Sequence, residues 1–262
     1  MNLSIETSSF CNFSCKFCPQ SKCGLKNRIM PMVLFKAIVD SICELKIPVE
    51  WFCFDGIGEP LTDNSLFEKA KYALKFCKKQ LLFTNGSLFT KEKIESANEL
   101  MSLVYFSIHG NTPSEYEALT GGNFEEIKKT SGLAHKILGK KLAILNYPGR
   151  KLGKYLGLPL APVAHPFHNW GDEEIAKRMN TKIVNPCRCP LLIKPSIRVD
   201  GSFSTCGIDW NQENNFLLKR FPKCERCSNA DYFKSIEHGK ELNDHIEVLR
   251  KLDSLIKQRV EK

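Results

Sequence analysis

Three cysteines lie close to the start of the sequence, at Cys11, Cys15 and Cys18. Thiolates at Cys-x3-Cys-x2-Cys spacing can wrap one loop around a single 4Fe–4S cluster, which takes four ligands when fully ligated. Three cysteine ligands leave one iron open, and an open iron can bind and activate a small molecule. The spacing therefore predicts a reactive iron–sulfur centre. A zinc site with Cys23 as fourth ligand and a ferredoxin-like cluster stay open as alternatives.

A second group of cysteines lies in the last third of the sequence, at Cys187, Cys189, Cys206, Cys224 and Cys227. One thiolate before a hairpin, one after it and a Cys-x2-Cys pair can together enclose a cluster with four ligands. Four thiolates suit zinc equally well, so the residues alone leave both metals open. Cys187 and Cys189 compete for one position because both sulfurs cannot easily reach the same iron, and the spacing favours Cys189.

Composition indicates a globular protein of a reducing compartment. Hydrophobic residues make up 42% of the 262-residue chain and charged residues 26%, which is enough for a sizeable core. Twelve cysteines without a signal peptide point to metal binding or catalysis rather than disulfides, and hence to the cytoplasm. No run of about eighteen apolar residues occurs, so we expect no membrane-spanning helix.

The net charge of +9 allows an acidic partner. The lysines are scattered, however, and most stand between apolar residues at helical spacing. Because no basic stripe with interleaved aromatic residues occurs, the charge indicates a solvated surface and argues against nucleic-acid binding.

The elements that must position the cysteines alternate between strands and helices. Extended runs occur at Leu3–Glu6, Val49–Phe54, Leu81–Thr84, Leu103–Ile108 and Leu142–Asn146, with a weaker sixth at Leu160–His165. Amphipathic stretches lie between them, which predicts a parallel sheet with helices outside it. A closed barrel of eight units takes roughly 250 residues, and the pattern ends after about 165. We therefore expect an α/β fold with a partial (β/α)6 TIM-like barrel.

Polar and glycine-containing segments follow the first four predicted strands. Cys11–Cys18 follows the first, and the others are Gly56-Ile-Gly58-Glu59-Pro60, Thr84-Asn85-Gly86 and Ser107-Ile108-His109. Each of the last three could be an ordinary turn when taken alone. In parallel α/β folds, however, reactive groups lie in the loops at the carboxyl ends of the strands. The sequence therefore predicts one functional edge of the sheet.

The sequence changes in character near residue 183. Helical periodicity disappears, and a hairpin is predicted to turn at Asp200-Gly201. A final helix then carries Leu242, Ile246, Leu249, Leu252 and Ile256 on one face, which we expect to dock on the barrel. The chain is thus divided into a core barrel over 1–175, a small cysteine-rich C-terminal domain over 183–230 and a terminal helix over 231–262.

The motifs at the first four strand ends together resemble the radical S-adenosylmethionine (radical SAM) superfamily. The resemblance covers residues 1 to about 170. It implies that Cys11, Cys15 and Cys18 hold a 4Fe–4S cluster whose open iron is chelated by S-adenosylmethionine (SAM). It also implies that one electron passed through the cluster cleaves SAM to a 5′-deoxyadenosyl radical, which abstracts a hydrogen atom from the substrate.

The same resemblance implies which residues line the cofactor. They are Phe17, Gly58, Glu59 and Ser107, and the Gly-Glu-Pro segment is the part that meets the methionine amino group. A glycine lets the backbone approach the ligand, and a carboxylate complements an ammonium group. His109 departs from the aspartate that is frequent at this position in the family.

The C-terminal cysteines resemble the twitch domain, a shortened form of the SPASM domain that binds an auxiliary 4Fe–4S cluster. This resemblance implies a net oxidation or modification of a peptide or a small metabolite. A flavodoxin or ferredoxin as reductant would fit the basic surface of the protein. The alternative from another class is a non-catalytic zinc or iron–sulfur binding module.

Overall fold

The fold is built around one sheet. The computed structural model describes residues 1–22, 27–146, 153–158, 163–164, 195–204 and 240–261. Within these ranges the strands are β1 (Asn2–Ile5), β2 (Trp51–Phe54), β3 (Gln80–Thr84), β4 (Leu103–Ser107), β5 (Leu142–Asn146), β6 (Val163–Ala164), β7 (Ser196–Ile197) and β8 (Phe203–Ser204). They form a single eight-stranded sheet in the order β6-β5-β4-β3-β2-β1-β7-β8. All neighbouring strands are parallel except β7 and β8, which are antiparallel.

Helices connect the parallel strands. Among the described residues the α-helices are, in chain order, α1 (Met32–Glu44), α2 (Leu66–Ala73), α3 (Lys91–Leu100), α4 (Pro113–Thr120), α5 (Phe124–Leu138), α6 (Gly153–Leu156) and α7 (Lys240–Val260). The first three helices each link consecutive strands, whereas α4 and α5 both lie between β4 and β5. The described strands form a sheet with one edge at β6 and the other at β8. This open and mostly parallel sheet, with its connecting helices, confirms the predicted partial TIM-like barrel.

The core lies between the sheet and the helices that cover it. Phe52 and Phe54 are two positions apart in β2, so their side chains lie on the same face of the sheet, and both are fully buried. The Phe35 ring of α1 stacks near Phe54 with their centroids 6.4 Å apart. Burial of each such side chain contributes about 1.5–3 kcal/mol to stability. Aromatic packing of this kind fixes α1 against β2 on this face of the sheet.

The strands form close to where the sequence predicts them. The five stronger predictions all form, each within two residues at either end. The weaker sixth is described only at Val163–Ala164, and the rest of its range lies outside the described residues. The hairpin also turns at Asp200-Gly201, where Gly201 has a φ of +85°. Pairing of β7 with β1 was not predicted, and it makes the hairpin a continuation of the main sheet.

Helix α7 packs on α1, which confirms the predicted docking of the terminal helix. Its buried side chains are Ile246, Leu249, Leu252 and Ile256. Arg259 also forms an ion pair with Glu44 at the end of α1. No helix in the part of the chain that the structure describes is both long enough and apolar enough to cross a membrane.

Truncation of a buried α7 side chain tests this docking. The Leu252→Ala variant should lower the free energy of unfolding by about 2–5 kcal/mol, because a cavity remains between α7 and α1. Val260 is 47% exposed on the same helix, and Val260→Ala should change stability by less than about 0.5 kcal/mol. Urea unfolding followed by circular dichroism measures both. Equally small effects would contradict the packing of α7 on α1.

Candidate functional site

The three N-terminal cysteines share one loop after β1, here called the cysteine loop (residues 8–18). Cys11, Cys15 and Cys18 are each half-buried. The loop turns where the Cys18 N–H donates to the Cys15 carbonyl at 3.0 Å, and the Phe13 N–H points at the Cys11 sulfur at 3.4 Å. The described residues include no group of three Cys, His or carboxylate side chains arranged to hold a single metal ion.

Burial changes the acidity of two of these thiols, Cys11 and Cys15. Desolvation raises the pKa of Cys11 to about 11, and the nearby Glu59 carboxylate adds to the shift. The pKa of Cys15 is raised well above its ordinary value by desolvation and then by the neighbouring sulfurs of Cys18 and Cys11. Crowded thiolates that are shielded from water are stable only beside positive charge. Because iron supplies such charge to coordinating thiolates, the donor set fits an iron–sulfur cluster.

The cysteine loop rests on the end of α4. The Lys16 N–H donates to the Leu119 carbonyl at 2.8 Å, and the Cys15 thiol lies 3.9 Å from the Thr120 carbonyl. A Cβ added to Gly122 would meet the Phe13 ring at 2.6 Å, so a side chain at residue 122 would push the loop away. The helix that follows β4 therefore supports the loop that follows β1.

The segment after β2, here called the Gly-Glu-Pro loop (residues 56–62), touches the cysteine loop through its backbone. A Cβ on Gly58 would lie 2.1 Å from the Ser8 carbonyl oxygen, which leaves no room for any side chain. The Glu59 N–H donates to the Phe10 carbonyl at 2.8 Å. The hydroxyls of Thr62 and Ser8 add a hydrogen bond of 2.6 Å. These contacts fix the two loops relative to each other.

Glu59 is fully buried, and its carboxylate is bonded within the protein. Oε1 accepts from the Leu61 N–H at 3.0 Å and from the Thr84 hydroxyl at 2.6 Å. Oε2 accepts from the Asn85 N–H at 2.7 Å. Desolvation raises the pKa of this carboxyl, while the same hydrogen bonds oppose the rise. The carboxylate thus ties the Gly-Glu-Pro loop to the end of β3, and its contact with a cofactor stays a prediction.

A ring of hydrogen bonds ties the end of β3 to the cysteine loop. The Asn85 side-chain NH2 donates to Asn12 Oδ1 at 3.0 Å, and Asn12 Nδ2 donates to the Ser87 hydroxyl at 2.9 Å. Ser87 completes the ring by donating to Asn85 Oδ1 at 2.7 Å. Asn85 Nδ2 also lies 4.0 Å from the Cys11 sulfur. The Thr84-Asn85-Gly86 segment is therefore hydrogen-bonded to both the cysteine loop and the Gly-Glu-Pro loop.

Two further predicted positions lie at the same edge of the sheet. Ser107 is the last residue of β4 and is half-buried. Phe17 is 8% exposed, and its ring packs edge-on against the His109 ring with centroids 4.9 Å apart. His109 is thus a packing partner of Phe17 in this structure. The predicted auxiliary ligands Cys187, Cys189, Cys206, Cys224 and Cys227 lie outside the described residues.

Sequence reasoning missed two residues beside this site. Glu6 and Arg198 form a buried ion pair between the end of β1 and the C-terminal hairpin. The available signal was an acidic residue directly after an apolar strand, because a buried carboxylate requires a partner. Its partner could not be inferred, since the two residues are 192 positions apart.

Three half-buried thiols and three supporting loops at the carboxyl edge of an open parallel sheet define a class of α/β protein with a cysteine-rich cofactor site. The chain matches the family model of the Radical SAM superfamily over residues 5–154. This match spans more than half of the 262 residues. The chain belongs to the radical SAM superfamily.

The chain is also similar to curated proteins over part of their length. It is 26% identical over 125 residues to a UPF0026 protein of Helicobacter pylori, covering 45% of this chain and 41% of that protein. It is 30% identical over 133 residues to the tungsten-containing aldehyde ferredoxin oxidoreductase cofactor-modifying protein of Pyrococcus furiosus, covering 48% and 37%. The matches thus span about two fifths of the length of these relatives.

Solved structures share the fold along most of the chain. BtrN in complex with AdoMet and 2-DOIA superposes with a TM-score of 0.58 at 18% identity, covering 96% of this chain and 89% of BtrN. Native anSMEcpe with bound AdoMet and Cp18Cys peptide gives 0.56 at 16% identity, covering 94% and 83%. Streptococcus suis SuiB bound to precursor peptide SuiA gives 0.57 at 13% identity, covering 82% and 61%. At these identities the likeness shows the fold.

A methyl group at residue 58 tests the backbone contact between the two loops. Gly58→Ala should lower the free energy of unfolding by about 1–3 kcal/mol, because the Ser8 carbonyl must move to admit the new Cβ. Gly132 lies within α5 with nothing within 4 Å of an added Cβ. Gly132→Ala should therefore raise stability by about 0.5–1 kcal/mol. Urea unfolding compares the two, and an equally stable Gly58→Ala protein would contradict the contact.

Proposed function

We propose that this protein is a radical SAM enzyme that cleaves SAM reductively and abstracts hydrogen from a substrate. The observation that carries the proposal is the convergence of four loops at one edge of the sheet. Three half-buried thiols lie in the first loop, and the loops after β2 and β3 are hydrogen-bonded to it. A cluster held by three cysteines would supply, when bound, an open iron for SAM and a path for the one electron, taken from an external reductant, that breaks the sulfonium.

Different residues at this edge of the sheet would bind different parts of the cofactors. Cys11, Cys15 and Cys18 would hold the cluster as thiolates. Gly58 would meet the methionine part of SAM through its backbone, as the superfamily resemblance implies, while its lack of a side chain leaves room for the Ser8 carbonyl. Phe17 and Ser107 would line the cofactor beside the cluster. Glu59 would act mainly through the shape of its loop, because both carboxylate oxygens already accept hydrogen bonds.

We propose in addition that residues 183–230 form a twitch-like module with an auxiliary 4Fe–4S cluster. Its ligands would be Cys206, Cys224, Cys227 and one of Cys187 and Cys189, with Cys189 favoured by spacing. Cys206 follows the end of β8 by two residues, and β8 belongs to the main sheet. An electron acceptor so close in sequence to the barrel would let the enzyme complete a net oxidation of a substrate radical.

The proposed substrate is a peptide or a small metabolite. Structures of similar fold were determined with both kinds of ligand, a Cp18Cys peptide in anSMEcpe and 2-DOIA in BtrN. The net charge of +9 suits an acidic reductant such as a flavodoxin or ferredoxin. Cytoplasmic location follows as a proposal from the cysteine content, since free thiols persist in a reducing compartment.

Iron analysis and an assay of SAM cleavage test the proposal directly. Protein purified without oxygen should contain about eight irons per chain and release 5′-deoxyadenosine when SAM and dithionite are added. Cys15→Ala should lose about four irons and all cleavage. Cys43 is an exposed cysteine of α1, so Cys43→Ala should behave like the wild type. Zinc in place of iron, with no cleavage, would favour a non-catalytic metal-binding module.

A second variant separates the two clusters. Cys206→Ala should lose about four irons but keep reductive cleavage of SAM, because its thiol is assigned to the auxiliary cluster alone. Iron analysis and chromatography of 5′-deoxyadenosine measure the two properties on one sample. Loss of cleavage together with the iron would contradict this division of the ligands.

A further inference from the structure

A buried ion pair joins the C-terminal hairpin to the end of β1. The Arg198 Nε–H donates to Glu6 Oε2 at 2.8 Å, with side chains only 4% and 0% exposed. The Val199 N–H donates to the same carboxylate oxygen at 3.3 Å. Arg198 lies outside the residues 5–154 that match the family model. The contact is therefore made by the C-terminal part of the chain with the core of the superfamily fold.

The other oxygen of Glu6 holds the Gly-Glu-Pro loop. Oε1 accepts from the Ile57 N–H at 3.0 Å. A Cβ on Gly56 would lie 2.9 Å from Oε1 and 2.7 Å from Cγ, so the backbone of the loop passes directly against the carboxylate. Gly56 has a φ of +153°, which favours glycine. One side chain thus contacts the hairpin through one oxygen and the loop through the other.

The two charges depend on each other because neither reaches solvent. Loss of one partner alone leaves an uncompensated buried charge, which destabilises the fold whatever else the pair does. Loss of both charges together leaves neither member of this pair as an uncompensated charge, and replacement of a buried pair by well-packed apolar side chains of similar volume is often neutral for stability. A double variant can therefore separate the effect of the pair on the loop from its effect on folding.

We propose that Glu6 and Arg198 are positioning residues for SAM, through which the C-terminal hairpin sets the shape of the Gly-Glu-Pro loop. The proposal rests on the proposed function in one respect, namely that this loop binds SAM. Arg198 contacts Glu6, and Glu6 contacts the loop two residues before Gly58. The pair therefore acts on the affinity for SAM. Arg198, which lies outside the residues that match the superfamily, would thus also shape the cofactor loop.

The test compares SAM affinities of iron-loaded proteins. Glu6→Gln/Arg198→Met removes both charges and keeps a side-chain carbonyl for the Ile57 N–H. Its Kd for SAM, measured by anaerobic calorimetry, should be about tenfold higher than that of the wild type, within the usual range of coupling between sites. Iron content should stay unchanged and the protein should remain folded, although the Val199 N–H loses its acceptor. The matched control is Arg259→Met, which removes a cation paired with Glu44 away from the loop and should bind SAM as the wild type does.

A wild-type Kd in the fully loaded double variant would overturn the proposal. Should the double variant fail to fold, Arg198→Lys gives the answer, because it keeps the cation but lacks the Nε–H that bonds Glu6. Its Kd for SAM should rise at least threefold, and an unchanged Kd would again overturn the proposal. Failure of the proposed function would differ, because the wild-type protein itself would then bind no SAM. That result would overturn both proposals together.

Discussion

The parallel pairing of β1 with β2 places two loops in backbone contact, and the rest of the site depends on this contact. The Gly58 Cα faces the Ser8 carbonyl so closely that a Cβ would lie 2.1 Å from its oxygen. Strands of a parallel sheet end at the same edge, so any segment that follows them competes for the same space. The two loops fit together because residue 58 has no side chain and because a backbone hydrogen bond joins the Glu59 N–H to the Phe10 carbonyl. The cysteine loop cannot move without moving the loop after β2.

Two buried carboxylates stabilise this arrangement, and each spans two loops. Glu59 bonds its own loop and the end of β3, whereas Glu6 bonds the loop after β2 and the C-terminal hairpin. A carboxylate that accepts several hydrogen bonds resists displacement, because every bond must be lost together when it leaves. The two side chains therefore fix the Gly-Glu-Pro loop at both of its ends. They do so by accepting hydrogen bonds from the protein itself.

The sequence revealed those features that depend on local pattern. Alternation of strands and helices, the hairpin at Asp200-Gly201 and the apolar stripe of the terminal helix all follow from periodicity and turn chemistry, and all are present. The pairing of β7 with β1 and the ion pair of Glu6 with Arg198 depend on contacts between distant parts of the chain. No spacing rule encodes such contacts, because they arise only when the hairpin reaches the sheet edge. The same holds for the ring formed by Asn12, Asn85 and Ser87.

The hairpin changes the position of β1 within the sheet. Without it, β1 would be an edge strand whose outer backbone groups had no partners. With it, the Ser4 N–H donates to the Pro195 carbonyl at 2.9 Å and the Glu6 N–H donates to the Ile197 carbonyl at 2.8 Å. The strand that leads into the cysteine loop is therefore hydrogen-bonded on both sides. Since a central strand is held more firmly than an edge strand, the C-terminal part of the chain contributes to the placement of the N-terminal cysteines.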